Sequence, residues 1–229
     1  MMQYTSFFYF QNMISVLKCN YKLAILATLT LLLANNVFIK TNYAANTDMK
    51  KIFCIIPIGD IDNNILQHTR MELEKRFNVS VEIGRQLEEP AYAYHKHKKQ
   101  YNSTKILKKI HKLKLTGYDR ILGIVDVDLY VPERTFVFGG ADVKKKVSVI
   151  SLTRLRQDFY DLPEDSTLFK YRTIIEAVHE LGHTYELYHC KNSKCVMFLS
   201  NTIEDTDHKG AELCSNCKNI IEEKKALLK

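Results

Sequence analysis

Apolar residues along this chain follow two rhythms in turn. Short runs rich in β-branched residues read as buried strands at residues 52–58, 79–83, 120–127, 136–138 and 147–152. Helical spacing fills several of the stretches between them. Asn63 or Asn64 caps a predicted helix that runs to Phe77, with Ile65, Leu66, Met71 (or Leu73) and Phe77 as its apolar stripe. Pro90 breaks the chain. Residues 101–115 then place Ile106, Leu107, Ile110 and Leu113 on one side of a second helix. A third is predicted over residues 173–185, with Ile174, Ile175 and Val178 packing inward, and a tail helix over residues 220–228. Strands interleaved with helices predict an α/β fold. No internal repeat and no low-complexity linker divides residues 50–229, so they read as one domain.

Residues 1–49 form an extension of different character. Lys18 and Lys22 precede the apolar run 23–34, Asn35 and Asn36 interrupt it, and Val37, Phe38 and Ile39 continue it. A charged n-region before an apolar h-region is the pattern of a signal or anchor. The seventeen residues 23–39 sit at the lower edge of membrane-spanning length. The expectation is a protein anchored in a membrane or exported through this segment, with a cytoplasmic location as the alternative. A lipidation reading of Cys19, which flanks the segment, is weak.

Composition sets outer limits. The chain has 229 residues, of which 46% are hydrophobic. That suffices for one core of about 170–180 residues once the extension is set aside. Net charge is +7, with one dense basic patch over residues 95–114. Such a patch can attract nucleic acid or anionic lipid. No aromatic-interleaved recognition motif accompanies it, so it reads as a solvated helix face and no nucleic-acid partner is expected.

The chemistry lies in one stretch. His179 and His183 stand four residues apart, so a helix projects both from one face, near enough to share an ion. Glu180 follows the first His, where it can take a proton from a water that a metal activates. His189 cannot join on a continuing helix, because six more residues would swing it about 240° round the axis and roughly 9 Å along. The chain must leave the helix after His183 and fold back. Three neutral imidazoles would leave a fourth coordination position open, the arrangement of a catalytic zinc.

Cys190 follows His189 directly, and Cys195, Cys214 and Cys217 come after. A CxxxxC pair and a CxxC pair can supply four thiolates to a closed, structural zinc site. That second metal would grip the chain one residue from His189 and fix the loop that delivers it. Cys54 lies in an apolar strand-like run and reads as a core thiol.

HExxH, a last His after five intervening residues, the run Cys190, Cys195, Met197 and a distal CxxC together look like the archaemetzincin family of zinc metallopeptidases, in the metzincin clan. Residues 121–132 resemble the family's strand and loop before the active-site helix. Phe136-Val137-Phe138-Gly139-Gly140-Ala141 and residues 149–156 resemble its edge-strand and strand-to-helix segments. The likeness runs from about residue 51 to about residue 217.

The resemblance implies a metzincin-like α+β variant of the α/β class. A twisted mixed sheet would lie above the active-site helix, with a small zinc-pinned C-terminal subdomain below. It implies a Met-turn at Met197, two Zn²⁺ ions, and hydrolysis of peptides or small proteins, with aminopeptidase action among the modes it suggests. Glu180 would act as general base and then as general acid. One residue departs from the family: Glu186 stands where metzincins carry Gly, at a turn that needs positive φ. Glu186 could instead displace His189 or lean toward the metal. The rival class is a catalytically weakened, zinc-stabilised binding module, for nucleic acid or as a membrane-held scaffold.

Overall fold

Parallel strands buried on both faces organise residues 52–226, the part that the computed structural model describes. In chain order the elements are β1 (Ile52–Ile58), α1 (Asn63–Phe77), β2 (Ser80–Ile83), β3 (Tyr94–His95), β4 (Gln100–Asn102), α2 (Ser103–Lys112), β5 (Arg120–Val125), β6 (Leu129–Val131), β7 (Arg134–Val137), β8 (Gly139–Asp142), β9 (Val147–Ser151), α3 (Ser166–Thr184), α4 (Ile203–His208) and α5 (Ser215–Ala226). A five-stranded sheet has the order β2-β1-β5-β9-β8. Its first four strands are parallel, and β8 closes one edge antiparallel to β9. A smaller sheet, β3-β4-β6-β7, stands beside it.

Every residue of β5 and of β9 is buried. A strand can be buried on both sides only if helices cover both faces of its sheet. One face packs Phe53, Ile55, Leu122 and Ile150 against α1 and α3 through Leu73, Phe77, Ile174, Ile175 and Val178. The other packs Cys54, Ile56, Ile121 and Val149 against Ile106, Leu107 and Ile110 of α2. Cys54 is buried as expected, and burial raises its thiol to about 11.

Several sequence expectations shift. Asp62, not Asn63 or Asn64, caps α1, its carboxylate accepting from the Asn64 N–H at 2.7 Å. Leu73 rather than Met71 completes the stripe, since Leu73 is fully buried and Met71 is 52% exposed. Asn102 caps α2, so Tyr101 belongs to β4 and not to the helix. Of the strand expected at residues 136–138, Phe136 and Val137 belong to β7, Phe138 lies in the bend that follows, and β8 starts only at Gly139, at the sheet edge. α3 begins seven residues earlier than residue 173, where Asp165 accepts from the N–H groups of Thr167 and Leu168. The tail helix likewise starts at Ser215 rather than at residue 220.

No described helix is long and apolar enough to cross a membrane. The segment 23–39 and Cys19 lie outside the described residues.

Candidate active site and metal centres

α3 presents His179 and His183 one turn apart, with their Nε2 atoms 3.1 Å from each other. The Nδ1 of His179 lies 2.8 Å from the Val196 carbonyl, and the Nδ1 of His183 lies 2.7 Å from the Leu187 carbonyl. A carbonyl can only accept, so each Nδ1 carries the ring proton and each Nε2 offers its lone pair to the common centre. Burial, reinforced by the Lys209 charge, holds His179 well below the ordinary histidine range. His183 is lowered by burial too. Both rings are therefore neutral, the form that binds a metal.

His189 reaches them through a turn. α3 stops at Thr184, the Glu186 N–H donates to the His183 carbonyl at 2.8 Å, and the Leu187 N–H donates to the Gly182 carbonyl at 3.3 Å. These are the paired bonds of a Schellman cap. Its left-handed position is Glu186, at φ +66°. The turn forms with Glu in place of Gly, and the Glu186 carboxylate pairs with Lys224. It neither displaces His189 nor joins the imidazoles. The His189 ring centroid lies 5.5 Å from that of His179 and 5.0 Å from that of His183. Ligand nitrogens of all three lie within 4.8 Å of one another. Zinc–nitrogen bonds of tetrahedral geometry would set such nitrogens about 3.4 Å apart, close to the 3.1 Å of the first pair.

Two glycines let neighbouring elements close on this helix. A Cβ on Gly139 of β8 would lie 2.6 Å from the Cγ and 2.8 Å from the Oε1 of Glu180. A Cβ on Gly182 would lie 2.4 Å from the sulfur of Met197. Glu180 is thus roofed by the edge strand, and Met197, fully buried, lies beneath the helix. Burial and then the neighbouring Glu176 raise the Glu180 carboxyl well above its usual range, against the opposing pull of Lys209.

The four downstream cysteines also converge. Their sulfurs lie within 4.8 Å of one another, and all four are free thiols. Cys190 and Cys214 are 3.8 Å apart. A disulfide requires about 2.05 Å, whereas 2.3 Å zinc–sulfur bonds in a tetrahedron give about 3.8 Å. The Cys214 N–H donates to the Cys195 sulfur at 3.3 Å. The Cys217 N–H, at the start of α5, and the neighbouring thiols bring Cys214 down to about 7. Burial raises Cys217.

Two residues of the centre escaped the sequence reading. The Lys209 ammonium, fully buried, lies 3.2 Å from Glu176 Oε1, 3.3 Å from the Phe198 carbonyl and 3.3 Å from His179 Nδ1. Since His179 donates to Val196, Lys209 donates to the other two. Glu176 left a signal, a carboxylate inside the apolar stripe one turn before His179. Lys209 left none, because it sits in a polar run with no period.

The three histidines, Glu176 and Glu180 line a cleft of about 1040 Å³ beneath β8, which also takes in Arg134, Lys144 and Lys224. The model of peptidase family M54 matches residues 39–223. The archaemetzincin of Methanocaldococcus jannaschii is 39% identical over 171 residues, covering 75% of this chain and 93% of that one. The crystal structure of the Methanopyrus kandleri archaemetzincin superposes with a TM-score of 0.69 at 28% identity, over 79% of this chain and 98% of its own. That of the Archaeoglobus fulgidus archaemetzincin, complexed with malonate, gives 0.64 at 32% identity, over 74% and 99%.

These relatives overturn the expectation of membrane anchoring or export through residues 23–39. Nearly the whole length of each is accounted for by about three-quarters of this chain. The family model likewise begins only at residue 39, and no described helix of this chain is long and apolar enough to cross a membrane. A family model matched over most of the residues, a relative 39% identical and neighbours of the same fold agree: this chain belongs to peptidase family M54, the archaemetzincins, and is a zinc metallopeptidase.

Proposed function

We propose that the enzyme cleaves small or unfolded peptides in the cleft under β8, with His179, His183 and His189 holding a catalytic zinc and Glu180 carrying the proton. Cys190, Cys195, Cys214 and Cys217 would hold a second, structural zinc. The observation that carries this reading is the convergence of three imidazole nitrogens beside a buried carboxyl. When bound there, zinc supplies Lewis acidity, polarising the scissile carbonyl and making water a stronger acid. The chain's own groups do the rest. β8 ends its sheet, so its outer backbone groups can pair with an extended substrate. Glu180 takes a proton from the attacking water and returns it to the leaving amine. Its raised proton affinity suits a group that must hold that proton between the two steps. Lys209 and Glu176 hold the wall behind His179, and Met197 supplies an apolar floor.

Glu180→Gln tests the assignment. Zinc content should stay as in the wild type, while kcat/KM on a mixed peptide library falls by about 100-fold or more. Turnover near that of the wild type would remove Glu180 from the mechanism. Aminopeptidase action is the finer reading, and paired peptides with free and acetylated N-termini test it. Equal cleavage of both would make the enzyme an endopeptidase.

A further inference from the structure

We propose that the lysine face of α2, continued over the β8–β9 hairpin, is a docking site for an acidic segment of the substrate. The proposal rests on the cleft being the peptidase site. Of the twenty residues 95–114, eight are Lys, three are His and none is acidic. All eight lysines are exposed. No carboxylate within salt-bridge distance neutralises any of them among the described residues. On α2 they are not scattered. Lys105, Lys108, Lys109 and Lys112 occupy the i, i+3, i+4, i+7 positions of one outward stripe, opposite the buried Ile106, Leu107 and Ile110. Surface lysines are usually interspersed with acids, because like charges in one row repel. A row left without acids has a standing attraction for an anionic chain.

The stripe leads to the active site. α2 packs against β8 and β9, and His111 at its end is near enough to Asp142 to help hold that carboxyl low. Asp142 closes β8, and Lys144 in the hairpin that follows lines the cleft. Charge within the cleft points the same way. Apart from Glu180, held for the chemistry, its carboxylates Glu176 and Glu186 are taken by Lys209 and Lys224. Arg134 donates to the neutral Asn201, and neither it nor Lys144 pairs with a carboxylate among the described residues. A substrate lying along β8 with acidic residues beyond the scissile bond would meet Lys144 and then the α2 stripe. At 1.5 Å per residue the stripe from Lys105 to Lys112 spans about 10 Å, room for roughly three extended residues.

The partner the face fits is an acidic peptide rather than a nucleic acid. The cations are all lysines, with no guanidinium fork for phosphates or base edges. The helix lies flat on its sheet and offers no protruding element to a groove. The exposed tyrosines beside it are engaged, Tyr94 with Tyr101 at 5.0 Å and Tyr92 beneath Lys109 at 5.9 Å.

The test uses the full zinc-loaded chain and two peptides sharing one cleavable half, one with a run of Glu at the far end and one with Gln. Wild-type enzyme should show KM about tenfold lower for the acidic peptide at low salt, with similar kcat, and the gap should close at high salt. Replacing Lys105, Lys108, Lys109 and Lys112 together by Glu should abolish the gap and leave the Gln peptide unchanged. The Gln versions of the same four should give an intermediate loss. Binding is read separately by fluorescence anisotropy on the Glu180→Gln enzyme. If no peptide is cut but the acidic one still binds through the lysines, the peptidase reading fails and the docking site stands. Equal affinity for the two tails overturns the docking site. So does a single-stranded oligonucleotide of equal charge that binds the face more tightly.

Discussion

Glu186 shows how a single residue can depart from a pattern without undoing it. Its left-handed φ is a conformation that glycine reaches without strain. Two backbone bonds and the ion pair with Lys224 hold it there. Glu186→Gly should therefore raise the unfolding midpoint, by a few degrees, with zinc content unchanged. A lower midpoint in thermal melts would mean that the Lys224 pair outweighs the strain. Gly139 predicts the reverse. Its Ala variant would push against Glu180 and against the Val149 carbonyl, which as backbone cannot yield. Zinc should be retained and kcat should fall. At this scale the sequence was most legible. His179, Glu180, His183, His189 and the four cysteines are marked by residue type and spacing, and Met197 by the family resemblance; the fold gathers the three imidazoles into one group and the four thiols into another. Lys209 was illegible because its partners Glu176 and Phe198 are 33 and 11 positions away, with nothing periodic to join them.

Among elements, long buried strands and strongly striped helices were read well, and short ones were not. β3 has two residues and β4 three, too few to show an alternation, so of the small sheet only β7 left a trace, at residues 136–137. The first turns of α3 were missed because its early residues 166–171 are exposed or half-buried and carry no stripe. The cap at Asp165 was the available signal. β8 has two glycines among its four residues and looks like a loop, although it roofs Glu180. The C-terminal elements depend on the thiol cluster more than on burial, since α5 buries only Cys217 and Ile221. Cys214→Ser should accordingly remove one zinc per chain and loosen α5, read as faster amide exchange there. Unchanged metal stoichiometry would end the case for a second site.

At the largest scale, residues 52–226 place helices on both faces of a sheet and hang a small lower part from α3. Arg172 clips that part on. Its guanidinium, almost fully buried, meets the Asp207 carboxylate at 2.6 and 2.7 Å and the Leu155 carbonyl at 3.0 Å. Removing one partner of a buried pair costs about 3–5 kcal/mol, and a half-exposed carboxylate lowers that. Arg172→Met should thus destabilise by about 2–3 kcal/mol in urea titrations while leaving the histidines able to bind zinc. Acid should act on the metal first. His179 and His183 are held neutral by burial, so protons displace zinc from them only as pH falls below about 6.5, never as it rises through neutrality. Zinc release followed with a chromogenic chelator across pH checks the direction.

No residue separates His189 from Cys190. The third imidazole is therefore moored by sulfur chemistry it takes no part in. Mild peroxide, which attacks thiolates and spares neutral imidazoles, would slacken that mooring and silence hydrolysis with His179 and His183 untouched. A thiol reductant and fresh zinc should restore it, which would make this hydrolase a reporter of the redox state around it.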